Sequence, residues 1–136
     1  MADLAALIRA RFDESPLLAD KLRDTALDEH GQLYRDNYLL LFLPANPSTL
    51  TDERCAREQQ ATDPGIWEWT VRAVAVDTDG ARLLLREAFT MLVGWKPDIP
   101  GREPTKVRHT GSEPVLADRS IRPALYYGED DYTLRS

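Results

Sequence analysis

Cysteine is almost missing from this sequence. Cys55 stands alone among 136 residues, so no intramolecular disulfide can form, and a reducing, intracellular origin is expected. Lysine is scarce as well, three residues against fourteen arginines, a bias that reads as a GC-rich coding genome and concerns the source rather than the fold. Surplus positive charge is absent: the formal net charge is −6 and the isoelectric point about 4.9. A general nucleic-acid binder would show a basic face to the phosphates, so that class is disfavoured. Long apolar runs are absent too. The longest, from Tyr38 to Pro44, falls well short of the roughly 20 residues that span a bilayer. No signal peptide is expected, because Asp3 sits at once among apolar residues and Arg9 and Arg11 follow in the same segment.

Signatures of chemistry are missing in the same way. There is no P-loop and no G-x-G-x-x-G, and Gly111-Ser112-Glu113 does not lead into a helical pattern. His30 and His109 are far apart, and neither belongs to a metal-ligand spacing. Cys55 has Arg54 and Arg57 beside it but no nearby histidine to act as an oriented base. Glu129-Asp130-Asp131 lacks the spacing of a calcium loop and reads as a solvated turn between Tyr127 and Tyr132. No catalytic, cofactor-binding or metal-binding residue is assigned, and an enzyme is not expected.

What is present is ordinary globular chemistry, 43% hydrophobic and 29% charged. A chain of this length forms one domain, here residues 1–136, and buries about 68–70% of its unfolded surface without a metal or disulfide. Internal repeats and low-complexity tracts are absent.

Asp3 can cap a first helix, in which Leu4, Leu7, Ile8 and Phe12 share a face and the Arg11 stem lies along it. Ser15-Pro16 reads as the start of a second, short helix carrying Leu18, Leu22 and Ala26. Leu33 to Leu43 reads as a strand that is apolar on both sides from Tyr38 onward, so helices or a neighbouring subunit must cover both faces. Residues 44–64, with Pro44, Pro47 and Pro64, form a long surface excursion of the kind that is often functional. Ile66 to Val76 is the longest strand, with Trp67, Trp69 and Val71 on one face. Asp77-Thr78-Asp79-Gly80 then turns into a helix with the stripe Ala81, Leu84, Leu85, Ala88 and Leu92, and Gly94 closes it. Later strands are expected at Thr105 to Thr110, Val115 to Asp118 and Ile121 to Tyr127, with Tyr132 and Leu134 as an extension. The fold class is therefore that of a small α+β domain.

Some apolar residues fall where exposure is expected. Leu83 and Val93 lie off the main helical stripe, on the side of Arg86 and Thr90. Trp67 and Trp69 are neighbours on one strand face, and Tyr126-Tyr127 follow in the last strand. They complete the core or they form a subunit interface, where Trp, Tyr and Arg are enriched.

Two stretches carry a resemblance. One runs from Trp69-Thr-Val-Arg-Ala-Val-Ala-Val-Asp-Thr-Asp-Gly to Leu92-Val-Gly-Trp95. The other runs from Val107-Arg-His-Thr-Gly-Ser-Glu-Pro-Val-Leu-Ala-Asp to Pro123-Ala-Leu-Tyr-Tyr-Gly-Glu-Asp-Asp-Tyr132. Together they resemble the lambda-like tail-terminator proteins of long-tailed, siphovirus-type bacteriophages, particularly those of actinobacterial hosts. The resemblance implies a small mixed or antiparallel sheet with helices packed on one face, and a non-catalytic virion protein at the head-proximal end of the tail, assembled in the host cytoplasm. Such proteins form a homo-hexameric ring that stops polymerisation of the tail tube and then receives the head–tail stopper of the neck. Genomic DNA only passes through the channel, and no membrane or cofactor takes part. The loop at 44–64 is longer than the family's pattern. On this reading Arg54 and Arg57 are candidates for an axial or inter-subunit contact, and Trp67, Trp69, Leu83, Arg86, Tyr126 and Tyr127 for interfaces. The acidic balance then suits an acid-rich lumen. A head–tail stopper or other neck protein is the nearest alternative, and a small monomeric enzyme or ligand-binding domain is a different class.

Overall fold

The computed structural model describes residues 3–49 and 65–135, and the side chains of Ser48 and Thr49 lie outside that description. Helix α1 (Leu4–Asp13) begins at Asp3, whose carboxylate accepts the Ala6 N–H at 2.8 Å. Strands β1 (Leu22–Arg23), β2 (Tyr38–Phe42), β3 (Ser48–Thr49) and β4 (Gly65–Ala75) follow. Helix α2 (Thr78–Leu92), β5 (Arg108–Asp118) and β6 (Leu125–Arg135) complete the chain. The sheet runs β1-β2-β4-β6-β5, with β3 beside the start of β4. Only β1 and β2 pair in parallel; every other neighbour is antiparallel. This is the α+β class expected from the element pattern, with the mixed sheet that the resemblance implied.

Both helices cover one face of the sheet. Leu4, Ile8 and Phe12 of α1 and all five stripe residues of α2 are buried against Leu39, Trp67, Trp69, Val71, Ala73, Tyr132 and Leu134. Each large side chain so buried contributes roughly 1.5–3 kcal/mol, so this layer holds the fold together. Asp77 caps α2 by accepting the Gly80 N–H at 2.6 Å. Gly94, at φ +82°, lets the chain leave the helix and donate to the Val107 carbonyl at 2.9 Å.

Four expectations change. The second helix does not form. Ser15 opens a hydrogen-bonded turn, receiving the Leu18 and Ala19 N–H groups on its carbonyl, but Asp20 at φ +61° ends it. Leu22 enters the sheet edge instead, where its carbonyl accepts from Arg9. Next, the second face of β2 is covered at Tyr38 and Leu40 without a helix, while Phe42 stays exposed. The chain's own loops supply that cover, with Ala26, Tyr34 and Ile121 packed over Tyr38, Leu40, Val74 and Leu125. Third, the two segments expected between 105 and 118 form one strand. Gly111 and Pro114 are accommodated because register shifts occur at His109/Gly111 and Glu113/Leu116, and β5 is an edge strand that needs no donor from proline. Fourth, Glu129-Asp130-Asp131 is no turn. It lies inside β6, where Arg72 and Thr70 bind Glu129 and Asp131 on one face and Ser112 binds Asp130 on the other.

Candidate functional site

Side-chain alternation along β4 decides the fate of the tryptophans. Odd-numbered residues face the helices, so Trp67 and Trp69 are only 7% and 3% exposed in a single chain. Trp69 stacks on Tyr132 with ring centres 5.9 Å apart. This corrects their assignment as interface candidates: they are core, with almost no area left for a partner. Tyr126 and Tyr127 are half-buried, and Tyr127 packs on the second core cluster. Arg54 and Arg57 lie outside the described residues.

The outer face of α2 is different. Its buried stripe leaves Arg82, Leu83, Arg86, Phe89, Thr90 and Val93 together on the opposite side, all of them exposed. Leu83 is 49% exposed. Among the described residues, neither Arg82 nor Arg86 makes a salt bridge.

The other face of the sheet is open below Leu40. Register places Phe42, Thr70, Asp131 and Gly111 in one row and Leu40, Arg72, Glu129 and Glu113 in the next. Arg72 is held by Glu129 at 2.6 Å and lies 5.0 Å from the Phe42 ring. The Thr70 hydroxyl donates to Asp131 at 2.6 Å. Glu68 and Glu113 are exposed carboxylates with no salt bridge among the described residues, and Phe42 and Leu116 are exposed apolar residues on the same face. This face was missed from sequence, since it appears only once the register and its two bulges are known.

One polar cluster lies under α2. Asp130, 8% exposed, accepts from the Ser112 hydroxyl at 2.6 Å. His109 Nε2 is 3.0 Å from the same hydroxyl and 3.5 Å from Asp130, and the ring packs edge-on between Phe89 and Tyr132. Serine, histidine and aspartate are all present, but a catalytic relay needs the carboxylate and the nucleophile on opposite ring nitrogens. Here one nitrogen meets both, and Ser112 gives its proton to Asp130. Burial, with the Asp130 charge adding to it, holds the Tyr132 phenol far above its ordinary 10.0. Its hydroxyl and the indole N–H groups of Trp67 and Trp69 have no hydrogen-bond partner among the described residues. A period-two reading of Gly128, Asp130, Tyr132 and Leu134 is the signal that could have found this cluster. A groove of about 1010 Å³ lies at the sheet edge by Phe89, Val93, Arg108 and His109. Among the described residues no group of three His, Cys, Asp or Glu is placed to hold a metal, and no helix is long and apolar enough to cross a membrane.

No protein-family model matches the sequence, and no curated protein matches it. Among solved structures, the fold is similar to a chain in the virion of a native gene transfer agent (GTA) particle. The TM-score is 0.67 at 11% identity, over 97% of this chain and 92% of that one. At that identity the likeness is one of fold.

Proposed function

We propose that this chain is a non-catalytic structural protein of a phage-type virion, and within that class a tail terminator. It forms a ring at the head-proximal end of the tail tube, ends tube polymerisation, and joins the tail to the neck. The observation that carries the reading is the near full-length fold similarity to a virion chain, which spans the strand–turn–helix and C-terminal strands where the sequence resemblance lies. Leu83 and Arg86, exposed on α2, take the lateral contact between copies. Arg54 and Arg57 take an axial or inter-subunit contact within the 44–64 segment. Partners are further copies of the chain, six in the closed ring, together with the tube protein and the head–tail stopper. Six copies at −6 each carry about −36 in all, and an acid-rich lumen lets DNA slide without adhering.

The test is negative-stain electron microscopy of a phage lysate in which this gene is disrupted. Overlong, irregular tails beside DNA-filled, tailless heads are expected. Normal-length free tails with leaking heads would transfer the chain to the stopper role. Intact infectious virions would refute an assembly role altogether.

A further inference from the structure

Among the described residues, the two layers of this domain end in two exposed faces of opposite character. Arg86 sits at the centre of the outer stripe of α2, with Leu83 and Phe89 on either side and Arg82 one turn before it. The open sheet face presents Phe42 and Leu116 around a strip that carries Glu68 and Glu113. These two arginines and two glutamates form no salt bridge among the described residues. The Arg72 charge on the sheet is already neutralised by Glu129; Arg108 stands on the β5 edge of the Glu68 row, with Thr133 between them, and Arg135 follows in the next row.

From this complementarity we infer that the outer face of α2 in one copy docks on the open sheet face of the next, Arg82 and Arg86 meeting Glu68 and Glu113. The inference rests on the ring reading and supplies its lateral contact. Pairing helix to helix would set Arg86 against Arg86, and pairing sheet to sheet would set carboxylates against carboxylates. Like charges across an interface are strongly unfavourable. The charges therefore select a heterologous contact, in which each copy uses one face and leaves the other free, so the series extends until it closes. The apolar residues supply contact area and the charges supply register and direction.

Charge-swapped pairs test this. Variant one carries Arg82→Glu and Arg86→Glu, and variant two carries Glu68→Lys and Glu113→Lys. Assembly is followed by sedimentation of the purified full chain, alone and with tail tubes, and circular dichroism verifies the fold of each variant. Each variant alone should need at least roughly tenfold more protein to assemble. An equimolar mixture should recover assembly, because each reversed face then meets its complement, and one chain carrying all four changes should recover it too. Wild-type rings should also loosen as salt rises, since exposed charges are screened beyond about 10 Å at 0.1 M. Rings that persist in both single-face variants, or a mixture that fails to recover, would overturn the docking inference and leave the ring reading standing. Absence of assembly in the wild type, even on tail tubes, would overturn both.

Discussion

Tyr132 is where burial and titration meet. Its ring is fully enclosed, it stacks on Trp69, and its hydroxyl finds no partner among the described residues. An unpaired buried hydroxyl costs about 1–3 kcal/mol, so Tyr132→Phe should raise stability by roughly 1 kcal/mol in urea unfolding at neutral pH. The same variant should change the alkaline limb. Above the ordinary phenol value of 10.0 the unfolded chain releases this proton while the folded chain keeps it, because burial and then the Asp130 charge raise the folded value. The unfolded state then binds fewer protons, so stability is intact below pH 10 and falls as pH rises toward the folded value. Tyr38, raised chiefly by burial and then by Asp36, acts in the same direction. The slope above pH 10 should therefore become shallower in the phenylalanine variant without vanishing; an unchanged slope would contradict the assignment. At this scale local chemistry was legible. Asp3 announced itself as a cap and the start of α2 fell within Asp77-Thr78-Asp79-Gly80, because a cap needs only the N–H three residues away. Asp130 was misread as a turn residue, since its burial depends on Ser112 across a bulged register that no local pattern encodes.

Elements were legible in proportion to their periodicity. Helix α1, strand β4 and helix α2 each repeat a hydrophobic pattern long enough to fix type and buried face. The segment after Ser15 has four-residue spacing too, yet Leu18 and Leu22 are buried in a turn and a strand. Spacing alone cannot tell those cases apart when the run is short. Strand β5 was split in two because glycine and proline read as breaks, and only its edge position makes them tolerable. Gly128 shows what the fit of α2 on the sheet requires. A Cβ there would stand 2.8 Å from Val115 Cγ2 and 3.0 Å from Leu85 Cδ1. Val115 is β-branched and cannot simply swing aside, so Gly128→Ala should destabilise by about 1–3 kcal/mol through overpacking, seen as a lower urea midpoint. A neutral result would mean that α2 can lift from β6 at little cost.

For the whole molecule, the sequence offered one set of interface candidates and the fold divides it into two kinds of residue. Trp69 lies at the centre of the helix–sheet layer, so Trp69→Ala removes a stacked ring from a closed core and should cost about 3–5 kcal/mol. Against a total stability of roughly 5–15 kcal/mol, that change should lower the thermal midpoint strongly and reduce assembly only by depleting folded chains. Leu83 is 49% exposed on α2, and an exposed helix position usually shifts stability by no more than about 0.5 kcal/mol. On the proposed docking, Leu83→Asp should therefore melt like the wild type and still fail to form rings, because it puts a carboxylate beside Arg86 and toward the carboxylates of the next copy. Thermal melts and sedimentation on the same preparations separate the two effects. If Leu83→Asp assembled normally, the lateral contact would have to lie elsewhere on the molecule. The sequence placed Leu83 off the buried stripe but could not place the tryptophans, because one face of a strand is core or surface according to what covers it. What separates them is that β4 is central, whereas the outer side of α2 has nothing above it among the described residues.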